Sequence, residues 1–192
     1  MRIFRKGLGP HALPLAMAGV KMGEQLLNVG AGDPRMFAAM AGKVGLTGRA
    51  CAIADSTAGA EALRVAAARA GVLVEIEVAP FSRLPFGDTT FDVAVIDSTR
   101  GLLGALPRVD RMSLVGELFR LLRSGGRLIA IERYGRAGLF SLAGGSPPAS
   151  EYASSGGAPR ALETAGFRPV RVLAERDGLR FVEGLKRRGG QG

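Results

Sequence analysis

Read from its amino end, the chain alternates short β-rich apolar runs with longer amphipathic stretches, the pattern of crossover units that build a parallel sheet. Gln25 to Val29 predicts a first strand that ends in Gly30-Ala31-Gly32, after which Asp33 suits a helix N-cap and Pro34 the first helical position. The helix so opened runs to about Gly42, with Met36, Phe37 and Met40 on one face at helical spacing, ready to pack on the sheet. Ala50 to Ala54 predicts a second strand ending at Asp55-Ser56, and Ala58 to Ala70 a helix stopped by Gly71. In Leu73 to Ala79, Val74, Ile76 and Val78 alternate with Glu75 and Glu77, which suits an edge strand with one partly wet face. Phe91 to Ile96 is nearly all apolar and belongs at the centre of the sheet.

Leu114 to Leu122 predicts another helix, broken by Ser124-Gly125-Gly126, and Arg127 to Ile131 a fifth strand that reaches Glu132 at its carboxyl end. Gly144 to Gly157, rich in Gly, Ser, Pro and Ala, reads as a flexible loop, followed by a helix from Pro159 to Ala165. Pro169 to Ala174 and Leu179 to Leu185 flank Asp177-Gly178, a two-residue hairpin signal, so the last two strands pair antiparallel. The pattern as a whole is an α/β fold with a mostly parallel sheet and one reversed strand.

Composition narrows what this fold can do. A length of 192 residues with 47% apolar content suits one domain with a sizeable core. The single cysteine, Cys51, has no internal disulfide partner, and the single histidine, His11, cannot build a histidine-rich metal site, so zinc chemistry and a Ser/His/Asp triad are not expected. The apolar stretch Ala12 to Val20 is interrupted by Pro14 and Gly19 and falls short of the roughly 20 residues a bilayer crossing requires. The start resembles a signal peptide only faintly, and a cytoplasmic location is expected. A net charge of +9 favours anionic surfaces, RNA or acidic lipid among them, unless it serves solubility alone.

In open parallel sheets ligands bind beyond the carboxyl ends of the strands, where a glycine turn lets backbone approach closely and helix N-termini favour anionic groups. Gly30-Ala31-Gly32 lies at such an end. Asp55 ends the next strand about 23 residues beyond Gly32, the distance at which an acid reaches ribose hydroxyls, although it could equally cap the following helix.

Five segments in order carry a resemblance to a known family. They are Leu26-Leu27-Asn28-Val29-Gly30-Ala31-Gly32, Ile53-Ala54-Asp55-Ser56, Leu84-Pro85-Phe86 with Phe91-Asp92-Val93, Leu121 to Leu128, and Ala165-Gly166-Phe167. Over roughly Gln25 to Lys186 the chain resembles the class I S-adenosylmethionine-dependent methyltransferases, particularly the branch of the ubiquinone and menaquinone biosynthesis enzymes. The resemblance implies a Rossmann-like three-layer fold with a seven-stranded sheet and an antiparallel last strand. It implies a single methyltransferase-like domain over 1–192, with residues 1–24 as an N-terminal cap segment, and S-adenosylmethionine as cofactor. Asn28, Gly30, Ala31, Gly32, Asp55, Ser56, Phe81, Ser82 and Asp97 are the cofactor-binding residues it points to. Three positions depart from the pattern: Asn28 stands in place of an acid, Pro34 in place of a third glycine, and Pro80 in place of the acid that meets the adenine amino group.

The acceptor site is expected between Asp97 to Leu103, Glu132 to Phe140, the loop and the N-terminal segment. Methyl transfer needs alignment of donor and nucleophile above all, so the shortage of histidines is no obstacle. Where a base is used, Glu132, Asp97, Tyr134 and Tyr152 are the candidates. Three readings follow: methyl transfer to a small or lipophilic acceptor, a degenerate non-catalytic cofactor-binding or partner subunit, and an RNA methyltransferase. The last lacks the Asn/Asp-Pro-Pro-aromatic motif of nucleic-acid amino methylases, since Asp97-Ser98-Thr99-Arg100 stands there instead.

Overall fold

The computed structural model of the chain describes residues 9, 11–133 and 147–187. Seven strands form one sheet: β1 (Gln25–Val29), β2 (Arg49–Ala54), β3 (Glu75–Val78), β4 (Phe91–Ser98), β5 (Leu122–Arg133), β6 (Val170–Arg176) and β7 (Leu179–Leu185). Their order is β3-β2-β1-β4-β5-β7-β6, with every neighbouring pair parallel except those made by β7. From β1 the chain winds outward through β2 to β3, then returns to β4 on the other side of β1 and winds the opposite way. The gap between the carboxyl ends of β1 and β4 is therefore the topological switch point, where open α/β sheets bind ligands.

Side-chain alternation divides the core into two layers. On one face Leu26, Ala52, Val93, Val95, Ile129 and Ile131 pack with α1 (Ala12–Ala18), α2 (Pro34–Val44) and α3 (Thr57–Ala70). On the other, Leu27, Val29, Ile53, Ile96, Leu128 and Ala130 pack with α4 (Leu102–Ala105), α5 (Arg108–Leu121) and α7 (Gly157–Thr164). Met36, Phe37 and Met40 are fully buried on the first face, as their spacing predicts. The helix starts are also local chemistry. Asp33 caps α2 by accepting from the Arg35 and Met36 N–H groups at 3.2 and 3.1 Å, and Pro34 takes the first position, where its missing N–H has no bond to lose. Asp177 and Gly178, with φ of 55° and 74°, form the tight turn between β6 and β7.

Several boundaries differ from the sequence expectation. Ser124-Gly125-Gly126 does not precede β5 but lies inside it, because the Gly125 N–H donates to the Lys186 carbonyl at 2.8 Å and the Lys186 N–H to the Gly126 carbonyl at 2.9 Å. The helix before it begins at Arg108, six residues earlier than the apolar periodicity indicates. β3 is shorter than Leu73 to Ala79, with Leu73 left 85% exposed. The stretch read as a flexible loop, Gly144 to Gly157, holds α6 (Pro147–Ser154). Its paired prolines stand at the helix start, where proline is favoured rather than disruptive. Of the N-terminal cap segment, residues 1–8 and 10 lie outside the described residues, as do Tyr134 to Phe140 of the acceptor wall.

Candidate functional site

At the switch point the glycine turn meets the end of β4 directly. Gly30 has a φ of 96°, and a Cβ there would lie 2.8 Å from the Asp97 carbonyl oxygen and 3.0 Å from Leu102. At Gly32 a Cβ would lie 2.5 Å from Thr99 Oγ1 and 2.6 Å from Asp97 Oδ1. Both glycines are therefore required first by the chain's own packing. The Asp97 carboxylate, 1% exposed, accepts from the Asp33 N–H at 2.5 Å, from the Thr99 N–H at 3.1 Å and from the Thr99 hydroxyl at 2.6 Å. Asp33 in turn lies 2.9 Å from His11 Nε2, which ties the start of α1 to the start of α2. Sequence reasoning missed Thr99 and the tethering role of His11, because a lone hydroxyl and a lone imidazole carry no motif.

The end of β2 is arranged differently. Ser56, not Asp55, caps α3, its hydroxyl accepting from the Gly59 N–H at 3.2 Å. Asp55 is exposed and its carboxylate has no hydrogen bond or ion pair among the described residues. Ala31 is half-buried against the first turn of α3, so the glycine turn and the end of β2 are neighbours. The Ala79 N–H donates to the Ala54 carbonyl at 3.2 Å, which brings Pro80 alongside the same end. Phe81 is buried in the core, while Ser82 is exposed and lines a cavity with Glu117 and Arg120, groups near the amino end of the sheet. Asn28 is fully buried beneath the turn. Its amide donates to the Gly30 carbonyl at 2.8 Å and its Oδ1 has no partner among the described residues.

The four residues proposed as bases do not share one place. Asp97 belongs to the face of α1, α2 and α3, since Val93 and Val95 precede it there at a period of two. Glu132 follows Leu128 and Ala130 on the opposite face, where the Tyr152 hydroxyl donates to its Oε2 at 2.6 Å and Arg180 Nη1 lies 3.6 Å from its Oε1. Burial pushes the Glu132 carboxyl above its ordinary value, against the lowering effect of Tyr152 and Arg180. The Tyr152 hydroxyl is pushed up as well, by burial first and then by the Glu132 charge. Arg111 is 3% exposed, donates to the Leu103 and Leu106 carbonyls at 3.0 and 3.1 Å, and stacks on the Tyr152 ring at 4.8 Å. Glu132 and Tyr152 are thus one unit, Asp97 is a separate one, and Tyr134 lies outside the described residues.

The groups around the turn meet part of what the cofactor implied by the resemblance requires. A free carboxylate at the end of β2 beside a glycine turn at the switch point fits a ribose, and Asn28 adds a buried amide oxygen with unused acceptor capacity below the turn. No side-chain acceptor stands at Pro80 for an adenine amino group.

Comparison with known proteins agrees with the geometry. Residues 27–130 match the family model described as a methyltransferase domain. No curated protein matches the sequence. Among solved structures, a SAM-dependent methyltransferase from Aquifex aeolicus superposes with a TM-score of 0.71 at 22% identity, over 92% of this chain and 89% of that one. A methyltransferase bound to the Trm112 activator from Haloferax volcanii gives 0.65 at 16% identity, over 92% and 89%. A TehB-like SAM-dependent methyltransferase from Corynebacterium glutamicum gives 0.61 at 14%, over 91% and 86%. At these identities the likeness is one of fold.

Proposed function

Because the chain belongs to the methyltransferase-domain family, with S-adenosylmethionine as its cofactor, we propose that it transfers a methyl group to a small or lipophilic acceptor at the carboxyl ends of β4 and β5. The observation that carries this reading is the open Asp55 carboxylate beside the glycine turn, an acid placed at a ligand crevice with no partner among the described residues. In it Asp55 accepts hydrogen bonds from the ribose hydroxyls, and the backbone of Gly30, Ala31 and Gly32 shapes the floor. The bound cofactor supplies a methyl group on a positively charged sulfur, activated toward a nucleophile.

The chain's own contribution is alignment, which can lower the barrier by roughly 7 to 11 kcal/mol without a base. Glu132 is the group we assign to hold a proton on the acceptor side. Burial raises its carboxyl above the ordinary value and the Tyr152 hydroxyl fixes its orientation, a pairing suited to general acid–base work. A non-catalytic cofactor-binding role is the second reading, favoured by Pro80 and by the amide at Asn28. We place the protein in the cytoplasm as a single domain over 1–192, a location in keeping with the free, buried thiol of Cys51. Among the described residues no helix is long and apolar enough to cross a membrane.

Calorimetric titration with S-adenosylhomocysteine tests the reading. Asp55→Ala should weaken binding by about 1.5 to 3 kcal/mol, roughly 10- to 150-fold, with the fold intact by circular dichroism. Equal affinity in the variant would remove Asp55 from the site, and absence of binding by the native chain would overturn the cofactor reading.

A further inference from the structure

A second cavity opens beside the glycine turn, on the sheet face that carries Asp97. Its volume is about 580 Å³, within the usual range for small-molecule sites, and Gly32, Arg35, Thr99, Arg100, Arg133 and Asp177 line it. Three separate elements contribute arginines to the lining of this one place. Arg35 comes from the first turn of α2, Arg100 from the turn after β4 and Arg133 from the last position of β5. None of the three forms an ion pair among the described residues, and the one side-chain bond they make is from Arg133 Nε to the Thr99 carbonyl at 3.3 Å.

Three carboxylates stand close by, Asp33 and Asp177 in the lining and Asp97 beside it, but none forms an ion pair with these arginines among the described residues. Asp33 is taken by His11 and by the N–H groups of its own helix, and Asp97 by Thr99 and the Asp33 N–H. Asp177 is exposed and lies 3.9 Å from Arg176. Several other arginines are matched with acids, Arg49 with Glu75, Arg120 with Asp88 and Glu117, Arg127 with Glu24, Arg171 with Glu183, while Arg69, Arg83 and Arg108 are exposed on separate elements without an ion pair among the described residues. Guanidinium groups with no ion pair among the described residues keep their donor forks available, and such a fork matches phosphate or carboxylate oxygens two at a time.

Building on the methyl-transfer reading, we propose that this cavity is the acceptor's anionic subsite, and that the acceptor is a small molecule bearing a phosphate or carboxylate group. The same chemistry could serve the amino-acid carboxylate of the cofactor, so the experiment separates the two sources. Inorganic phosphate is titrated at low ionic strength into the native chain and into Arg35→Gln, Arg100→Gln and Arg133→Gln, each free and saturated with S-adenosylhomocysteine. S-adenosylhomocysteine and 5′-methylthioadenosine, which lacks the carboxylate, are titrated in parallel.

The proposal expects saturable phosphate binding to the loaded protein, weakened about 3- to 10-fold by each substitution, with affinity for both nucleosides unchanged within twofold. Phosphate binding that is not saturable, or that survives all three substitutions, overturns it. So does a selective loss of S-adenosylhomocysteine affinity with methylthioadenosine unaffected, which would give the arginines to the cofactor. If the native chain binds neither nucleoside, the methyl-transfer reading fails, while phosphate binding to the free protein still reports on the cavity.

Discussion

Asp55 and Asp97 each stand at the carboxyl end of a strand beside the same glycine turn, yet the structure uses them in opposite ways. Asp97 is buried and holds three donors from two loops, so its carboxylate is part of the scaffold that fixes the turn against β4. Asp55 is exposed, and the capping work next to it is done by Ser56. Of two acids at one crevice, the one that binds three donors of its own chain builds the site, and the one with no partner among the described residues is available to a ligand. The distinction bears on Gly30 and Gly32 as well. Their missing Cβ atoms make room for Asp97, Thr99 and Leu102, so a glycine fingerprint here records a close intramolecular approach before it records a ligand.

The sharpest way to break this comparison is to remove each carboxylate and measure stability by urea unfolding. Asp97→Ala leaves the Asp33 N–H and the Thr99 hydroxyl without their acceptor in a confined place, and a loss of about 3 to 5 kcal/mol is expected. Asp55→Ala should stay within about 0.5 kcal/mol of the native chain, as exposed substitutions do. Comparable losses in the two variants would show that burial and bonding do not separate the roles.

Gly32→Ala comes next in size. The added methyl would lie 2.5 Å from Thr99 Oγ1 and 2.6 Å from Asp97 Oδ1, so both must shift, which is expected to cost about 1 to 3 kcal/mol. If the contact with the Thr99 hydroxyl is the main obstacle, Thr99→Ala should relieve part of that cost, and a double-mutant cycle of unfolding free energies should show coupling of at least about 0.5 kcal/mol. Strict additivity would mean that Asp97 alone opposes the methyl group.

Much of the fold was legible in the sequence because local and global signals agree. Asp33-Pro34 opens a helix where it should, Asp177-Gly178 turns a hairpin, and the run from Phe91 to Ile96, apolar but for Asp92, lies in the central strand. The boundaries that moved were set by partners distant in sequence. Lys186 draws Gly125 and Gly126 into β5, a pairing that no window around those glycines contains. Site residues were legible as types and positions but not as groups. Period-two alternation puts Asp97 and Glu132 on opposite faces only once the register Asp97↔Ile131 and Ser98↔Glu132 is known. The approach of Tyr152 to Glu132 depends on α6, and Arg111, a buried charge, looks in sequence like any residue of a solvated helix face.

Glu132 offers the finest test, because it lies between the two aspartates: buried like Asp97, yet with its ionised form disfavoured. Four groups face it, Tyr152 by a hydrogen bond, Arg180 by an ion pair, Glu175 through its negative charge, and Arg111 behind the tyrosine ring. Desolvation is the largest influence and it raises the carboxyl above the ordinary 4.5. The sign of the linkage follows. The native state keeps this proton to a higher pH than the unfolded chain does, so the group's contribution to stability is complete below 4.5 and is lost as pH rises through the raised native value. Glu24, Glu75 and Glu117 are held low by arginines and act in the opposite sense, losing their contribution as the solution is acidified below 4.5. Subtracting the stability profile of Glu132→Gln from that of the native chain cancels those terms and leaves the one proton of interest, with a slope no steeper than about 1.4 kcal/mol per pH unit. A difference profile that falls from pH 4.5 upward is expected. A flat or rising profile would make Glu132 a settled ion-pair carboxylate of the same kind as Glu24, and would take from it the proton-holding role on the acceptor side.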